Sequence, residues 1–137
     1  MRVPATSRAV PGLFVAFLCV LLLPARSAAE SVDFERQVWP IFEAHCVSCH
    51  GAKQSYSNLR LDSRAAIERG GELGEVLISG DPEGSELYRR TAVPPDDLDI
   101  MPVDADPLSK EQRKILSTWI AEGASFGGWA ETANEEE

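Results

Sequence analysis

From residue 31 onward the apolar positions recur with a helical period and nowhere alternate as in a strand. In "SVDFERQVWPIFEAHC", Phe34, Val38, Ile41 and Phe42 lie on one helical face. This predicts a helix capped by Asp33 or Ser31 that runs directly into Cys46. Pro40 falls inside the pattern, so it either kinks one helix or opens a second at its first turn. The clearest element is the last. Ser109 followed by Gln112 forms a capping box, Ile115, Leu116, Trp119 and Ile120 line one face, and Gly123 ends the run, predicting a helix over about 110–122. Its apolar stripe needs a partner, and Phe34, Val38 and Phe42 offer one. Between them, "LDSRAAIERGG" predicts a short helix capped by Asp62 or Ser63 and stopped by Gly70 and Gly71. "GDPEGSELYRR" predicts another, with Pro82 after Asp81 at its first position and Ser85 as a second candidate cap, and "EVLIS" reads as extended. The expected fold class is all-α, with three to four helices.

The first 29 residues follow a different logic. Arg2 and Arg8 precede an uncharged apolar run at 12–23, and Ser27, Ala28 and Ala29 are small, which is the layout of a secretory signal peptide cut after Ala29. The run falls short of the ~20 apolar residues of a spanning helix, and Cys19 within it is discarded with the signal. Cleavage leaves 108 of the 137 residues: a single domain at 30–129 and an acidic disordered tail, "TANEEE" included, at 130–137. It also removes three arginines and no acid, so 13 basic and 22 acidic residues become 10 and 22, a net charge of −12. Such a surface repels nucleic acid and anionic lipid and favours basic partners. The expected location is exported, periplasmic or extracytoplasmic, with no stable membrane span once the signal is gone.

An exported chain with two cysteines left invites a disulfide, yet their setting points elsewhere. "HCVSCHG" at 45–51 gathers Cys46, Cys49 and both histidines, His45 and His50. Cys46, Cys49 and His50 spell C-x-x-C-H, the attachment motif of c-type haem. Two thiols three residues apart can form thioethers to two vinyl groups on one porphyrin edge, with the following imidazole held against the iron. Gly51 then lets the backbone turn away without a side-chain clash. A structural zinc site would need two further ligands, and no Cys or His lies outside 45–50 after signal removal. A thioredoxin-like pair would begin a helix rather than follow one. A plain disulfide stays open. An electron-transfer haem takes Met or His on its second axial face, and the one methionine beyond the signal is Met101, in a loop restricted by Pro94, Pro95, Pro102 and Pro107. His45 is the lesser candidate, because it would have to cross the ring edge; a satisfied surface histidine is the expectation.

Taken in order, "FERQVWPIFEAHCVSCHG", "LRLD", "GG", "SGDPEGSELYRR", "MP" and "WIAEGA" resemble the Planctomycete-type cytochrome c domain of the class I cytochrome c superfamily, over about 34–124. Members often carry a second proline after the methionine–proline pair, where this chain has Val103. The resemblance implies a small all-α cytochrome c-like fold wrapped around one covalently bound haem c. Cys46 and Cys49 would be the thioether residues, His50 the proximal and Met101 the distal iron ligand.

Both lines of reasoning predict an exported mono-haem cytochrome that transfers single electrons and is not itself an enzyme. Its partner would be a redox protein with a basic docking surface, such as a dehydrogenase or oxidase. A haem sensor or peroxidase-like enzyme with a displaceable sixth ligand, and a haem-free disulfide-stabilised interaction module, are the alternatives. Trp39, Phe42, Leu59, Leu61, Ile100, Trp119 and Ile120 are candidates for packing on the ring or for ordinary core. Asp96, Asp97, Asp99, Asp104 and Asp106 lack the loop pattern of a calcium site and read as a solvated rim. Lys53, Arg60 and Arg64 are candidate propionate partners.

Overall fold

The computed structural model describes residues 31–129, so the signal segment 1–29 and the tail 130–137 lie outside the described residues. Among the described residues there are four α-helices and no strand, and the fold is all-α. A π-helical turn, Phe34–Val38, leads into α1, Trp39–His45. Asp33 is the cap: its carboxylate accepts from the Arg36 N–H at 2.8 Å, and its own N–H donates to the Gln37 side chain at 2.8 Å. Pro40 stands in the first turn of α1. In a regular α-helix its ring would press on the carbonyl four residues back; here the preceding turn widens, and the Trp39 N–H bonds to the Phe34 carbonyl instead. The break implied by Pro40 is therefore a wider turn within one continuous path.

Helix α2, Arg64–Arg69, begins at Ser63, whose hydroxyl accepts from the Ala66 N–H at 3.3 Å, and ends at Gly70 with φ +76°. A Cβ at Gly70 would lie 2.2 Å from the Gly74 carbonyl oxygen, so glycine is required there on two counts. Helix α3, Glu86–Ala92, starts later than Pro82 suggests. Residues 82–84 form a turn, in which the Asp81 carboxylate accepts from the Gly84 N–H at 2.9 Å. Ser85 precedes α3 but spends its buried hydroxyl elsewhere, accepting from the Ile78 N–H and donating to the Asp81 carbonyl, each at 2.8 Å. Residues 75–79 form no strand, although Leu77 is buried and Val76 accepts from the Leu87 N–H at 3.0 Å. Helix α4, Lys110–Ala121, carries the full capping box and closes at Gly123, φ +104°.

The core joins the two ends of this path. Phe34 sits among Phe42, Trp119, Phe126 and Trp129, with ring centroids 5.9, 5.2, 4.8 and 4.8 Å away. Val38, Leu116 and Ile120 complete the seam, as the apolar stripes of the first and last helices require. The indole N–H of Trp119 donates to the Ser125 carbonyl at 2.8 Å, so its polar atom is satisfied inside the core. Phe126 and Trp129, which follow α4 without any helical period, belong to this cluster as well.

Replacing a buried aromatic residue by alanine removes both its transfer energy and its packing, at about 3–5 kcal/mol. Trp119→Ala is expected to destabilise the chain by about that amount in urea unfolding, and Ser109→Ala by about 1 kcal/mol. Equal losses from the two variants would contradict the ranking of core over cap.

Candidate functional site

Helix α1 delivers Cys46 as its C-terminal cap, with the Cys46 N–H donating to the Phe42 carbonyl at 2.9 Å. The chain then makes one more helix-like turn. The Cys46 carbonyl accepts from the N–H of Cys49 at 3.1 Å and of His50 at 2.9 Å. Residues three and four apart on such a turn share a face, so Cys46, Cys49 and His50 come to one side of the chain. The turn is fastened from beyond: Cys49 and His50 carbonyls accept from the N–H of Tyr56 at 3.2 Å and Leu61 at 2.7 Å. Gly51 has no positive φ; its requirement comes from crowding, since a Cβ there would lie 2.5 Å from the Val47 carbonyl oxygen.

Both cysteines are free thiols, Cys49 exposed and Cys46 half-buried. Burial, reinforced by the charge of Cys49, pushes the Cys46 thiol up to about 12. A thiol so reluctant to ionise is a poor redox nucleophile, because that role needs the anion. An uncharged thioether carries no such desolvation penalty. His50 adds a second observation: its Nδ1 is buried and has no hydrogen-bond partner, a state that costs about 1–3 kcal/mol when left uncompensated. Among the described residues no group of three or more His, Cys, Asp or Glu side chains could hold a metal ion. Two neutral thiols and an imidazole on one backbone turn fit a group attached covalently through the sulfurs.

Met101 stands apart in sequence, on the loop after α3, half-buried, with its N–H donating to the Arg90 carbonyl at 2.9 Å. That bond anchors the loop to α3 and not to the cysteine turn. Around it Asp96, Asp97, Asp99, Asp104 and Asp106 are all exposed, and Asp99 lies 3.4 Å from the Arg90 guanidinium. Leu98 is 100 % and Val103 56 % exposed on the same loop. His45 is half-buried and satisfied: its Nε2 lies 3.0 Å from the Gln112 side-chain nitrogen of α4. This contact between residues 67 apart was not foreseeable from periodicity.

The other candidates sort cleanly. Phe42, Leu61, Trp119 and Ile120 are core, whereas Trp39, Leu59 and Ile100 are only partly buried. Arg60 forks onto Asp62 at 3.0 and 2.9 Å, and Arg64 pairs with Glu68 at 2.8 Å, so both arginines already have carboxylate partners. Burial alone would raise Asp62, but the Arg60 hydrogen bond and charge and nearby backbone N–H groups outweigh it and hold the carboxyl below its usual range. Its contribution to stability is present above the ordinary carboxylate range and lost as pH falls through that lowered value. No helix among the described residues is long and apolar enough to cross a membrane.

Residues 46–104 match the family model described as Planctomycete cytochrome C. The match takes in the cysteine turn and the Met101 loop, and leaves out the flanking stretches 34–45 and 105–124. A search of curated proteins found no match to the chain. Among solved structures, Kuenenia stuttgartiensis hydrazine synthase is similar, at 24% identity over 68% of this chain and 16% of that chain, with a TM-score of 0.43. The matched region is thus a small part of that protein's length.

The unequal thiols yield a direct test on chain produced without haem attachment. With Cys46 at about 12, on the order of one molecule in ten thousand is ionised there at pH 8. Iodoacetamide should label exposed Cys49 well before Cys46, and urea should abolish the difference; peptide mass spectrometry reads both.

Proposed function

We propose that this chain, which carries a Planctomycete cytochrome C segment at residues 46–104, is an exported mono-haem c-type cytochrome that passes single electrons. The observation that carries the reading is the turn at 46–50. It carries two free thiols and an imidazole on one backbone turn, and that imidazole has a buried ring nitrogen without a partner. Cys46 and Cys49 would hold haem c through thioethers, and His50 would be the proximal iron ligand. Met101 would be the distal ligand, supported by its half-buried place on a proline-restricted loop pinned to α3. When bound, the haem supplies an iron that cycles between ferric and ferrous states, and a methionine ligand raises its potential.

The chain's own residues would orient that group. The bonds from Tyr56 and Leu61 hold the turn rigid, and the pinned loop holds the Met101 thioether at low entropy cost. The exposed carboxylates around Met101, with Leu98 and Val103 among them, favour a redox protein whose docking surface is basic and partly apolar. A dehydrogenase or oxidase would meet that description, with this chain as the electron-transfer component rather than the catalyst. Export rests on the segment at 1–29.

The test is expression with the signal segment in a host that attaches haem c, followed by visible spectra of both redox states. Wild type should give a low-spin c-type spectrum, and Met101→Ala should lose the weak charge-transfer band of sulfur ligation and shift to a lower potential. A colourless wild type would end the haem reading. A coloured wild type indifferent to the mutation would remove Met101 as ligand and favour a sensor or enzyme.

A further inference from the structure

His45 is left over once the cysteine turn has been accounted for, and its surroundings specify its chemistry. Gln112 is the third residue of the α4 capping box. Its Oε1 accepts from the Ser109 N–H at 2.8 Å, while the Ser109 hydroxyl accepts from the Gln112 N–H at 3.1 Å. An amide whose oxygen is committed to an N–H donor must turn its NH2 the other way. That NH2 meets His45 Nε2 at 3.0 Å. An NH2 group only donates, so Nε2 must accept, and an imidazole that accepts at Nε2 is neutral with its proton on Nδ1. The capping box thus fixes the tautomer of a histidine 67 residues away.

We infer that His45 is a proton-sensitive positioning residue, which in its neutral form ties the end of α1, one residue before Cys46, to the first turn of α4. Imidazolium has no lone pair at Nε2, so protonation sets two donors against each other. Rotating the Gln112 amide would present its oxygen to His45 but would turn the NH2 toward the Ser109 N–H and dissolve the cap. Either way the link between the two helices or the start of α4 is weakened. Among the described residues no ion pair engages His45 to relieve the conflict. The charges next to it in sequence are Glu43 on α1, which is exposed, and on α4 Glu111 and Arg113, which flank Gln112. Glu111 is exposed, and Arg113 donates to the Leu108 carbonyl at 2.6 Å. Uptake of a proton at His45 Nε2 is therefore expected to loosen the link. The link itself is a property of the polypeptide; only its bearing on the attachment turn rests on the haem reading.

The experiment uses the full exported chain and two readouts. Long-range proton–nitrogen correlation spectra of the wild type at pH 8 should show His45 with its proton on Nδ1; a proton on Nε2 overturns the inference. Melting temperatures of wild type and Gln112→Glu are then compared at pH 8 and pH 5. A glutamate keeps the cap and accepts from imidazolium, so the variant should gain on wild type by several degrees at pH 5 relative to pH 8. A difference that stays constant with pH overturns the inference. His45→Gln, which can accept from Gln112 without titrating, should likewise gain on wild type as the pH falls. Both measurements apply equally to a coloured and a colourless chain, so failure of the haem reading would be seen separately, in the visible spectrum.

Discussion

The contact on which the rest of the structure depends is the aromatic seam around Phe34. Every other element of the fold is short: α2 and α3 have six and seven residues, and isolated helices of that length do not persist in water. They exist because their buried faces join a core that is closed by Phe34, Trp119, Phe126 and Trp129. The π-helical turn matters in this light. By giving Pro40 room it lets Phe34 and Phe42 face the same seam on either side of a residue that would otherwise break the helix.

Outside the seam the chain is irregular, and its order comes from backbone groups that find partners one by one. The cysteine turn is fastened by Tyr56 and Leu61, the segment at 57 by the Glu72 N–H at 2.7 Å, and the Met101 loop by Arg90. Buried Ser85 serves the same purpose with a side chain, joining residue 78 to the approach of α3. Such a framework has little apolar surface of its own to spend, which is the expected condition of a domain of this size. A large covalently attached apolar group would add the missing core.

The parts of this fold that could be read from sequence are those whose signals are local. Helix α4 announced both its ends, through Ser109 with Gln112 and through Gly123, and its stripe through Leu116, Trp119 and Ile120. The start of α3 was left between two capping residue types, Asp81 and Ser85; the helix begins after Ser85, whose hydroxyl serves the bond to Ile78 instead of the cap. Gly51 was singled out because the turn leaves no room for a side chain, and the crowding comes from the Val47 carbonyl. Phe126 and Trp129 went unnoticed as core because they lie beyond the last helical period. The pairing of His45 with Gln112 joins single residues of distant segments and leaves no periodic trace. For the candidate site, the residue types and spacing at 46–50 were legible at once, whereas the unequal burial of the two thiols was not.

The seam also brings the two described ends of the domain together. The rings of Phe34 and Trp129 are 4.8 Å apart, and the Val32 N–H donates to the Glu122 carboxylate at 2.8 Å. A domain built this way enters and leaves at one place. It could be spliced into a surface loop of a host protein with almost no change in the separation of the host's own cut ends, or be circularly permuted through a short linker from 129 to 31, since closing a short loop is inexpensive in entropy. Modularity of this kind is a geometric property of the aromatic joint, independent of what the domain carries.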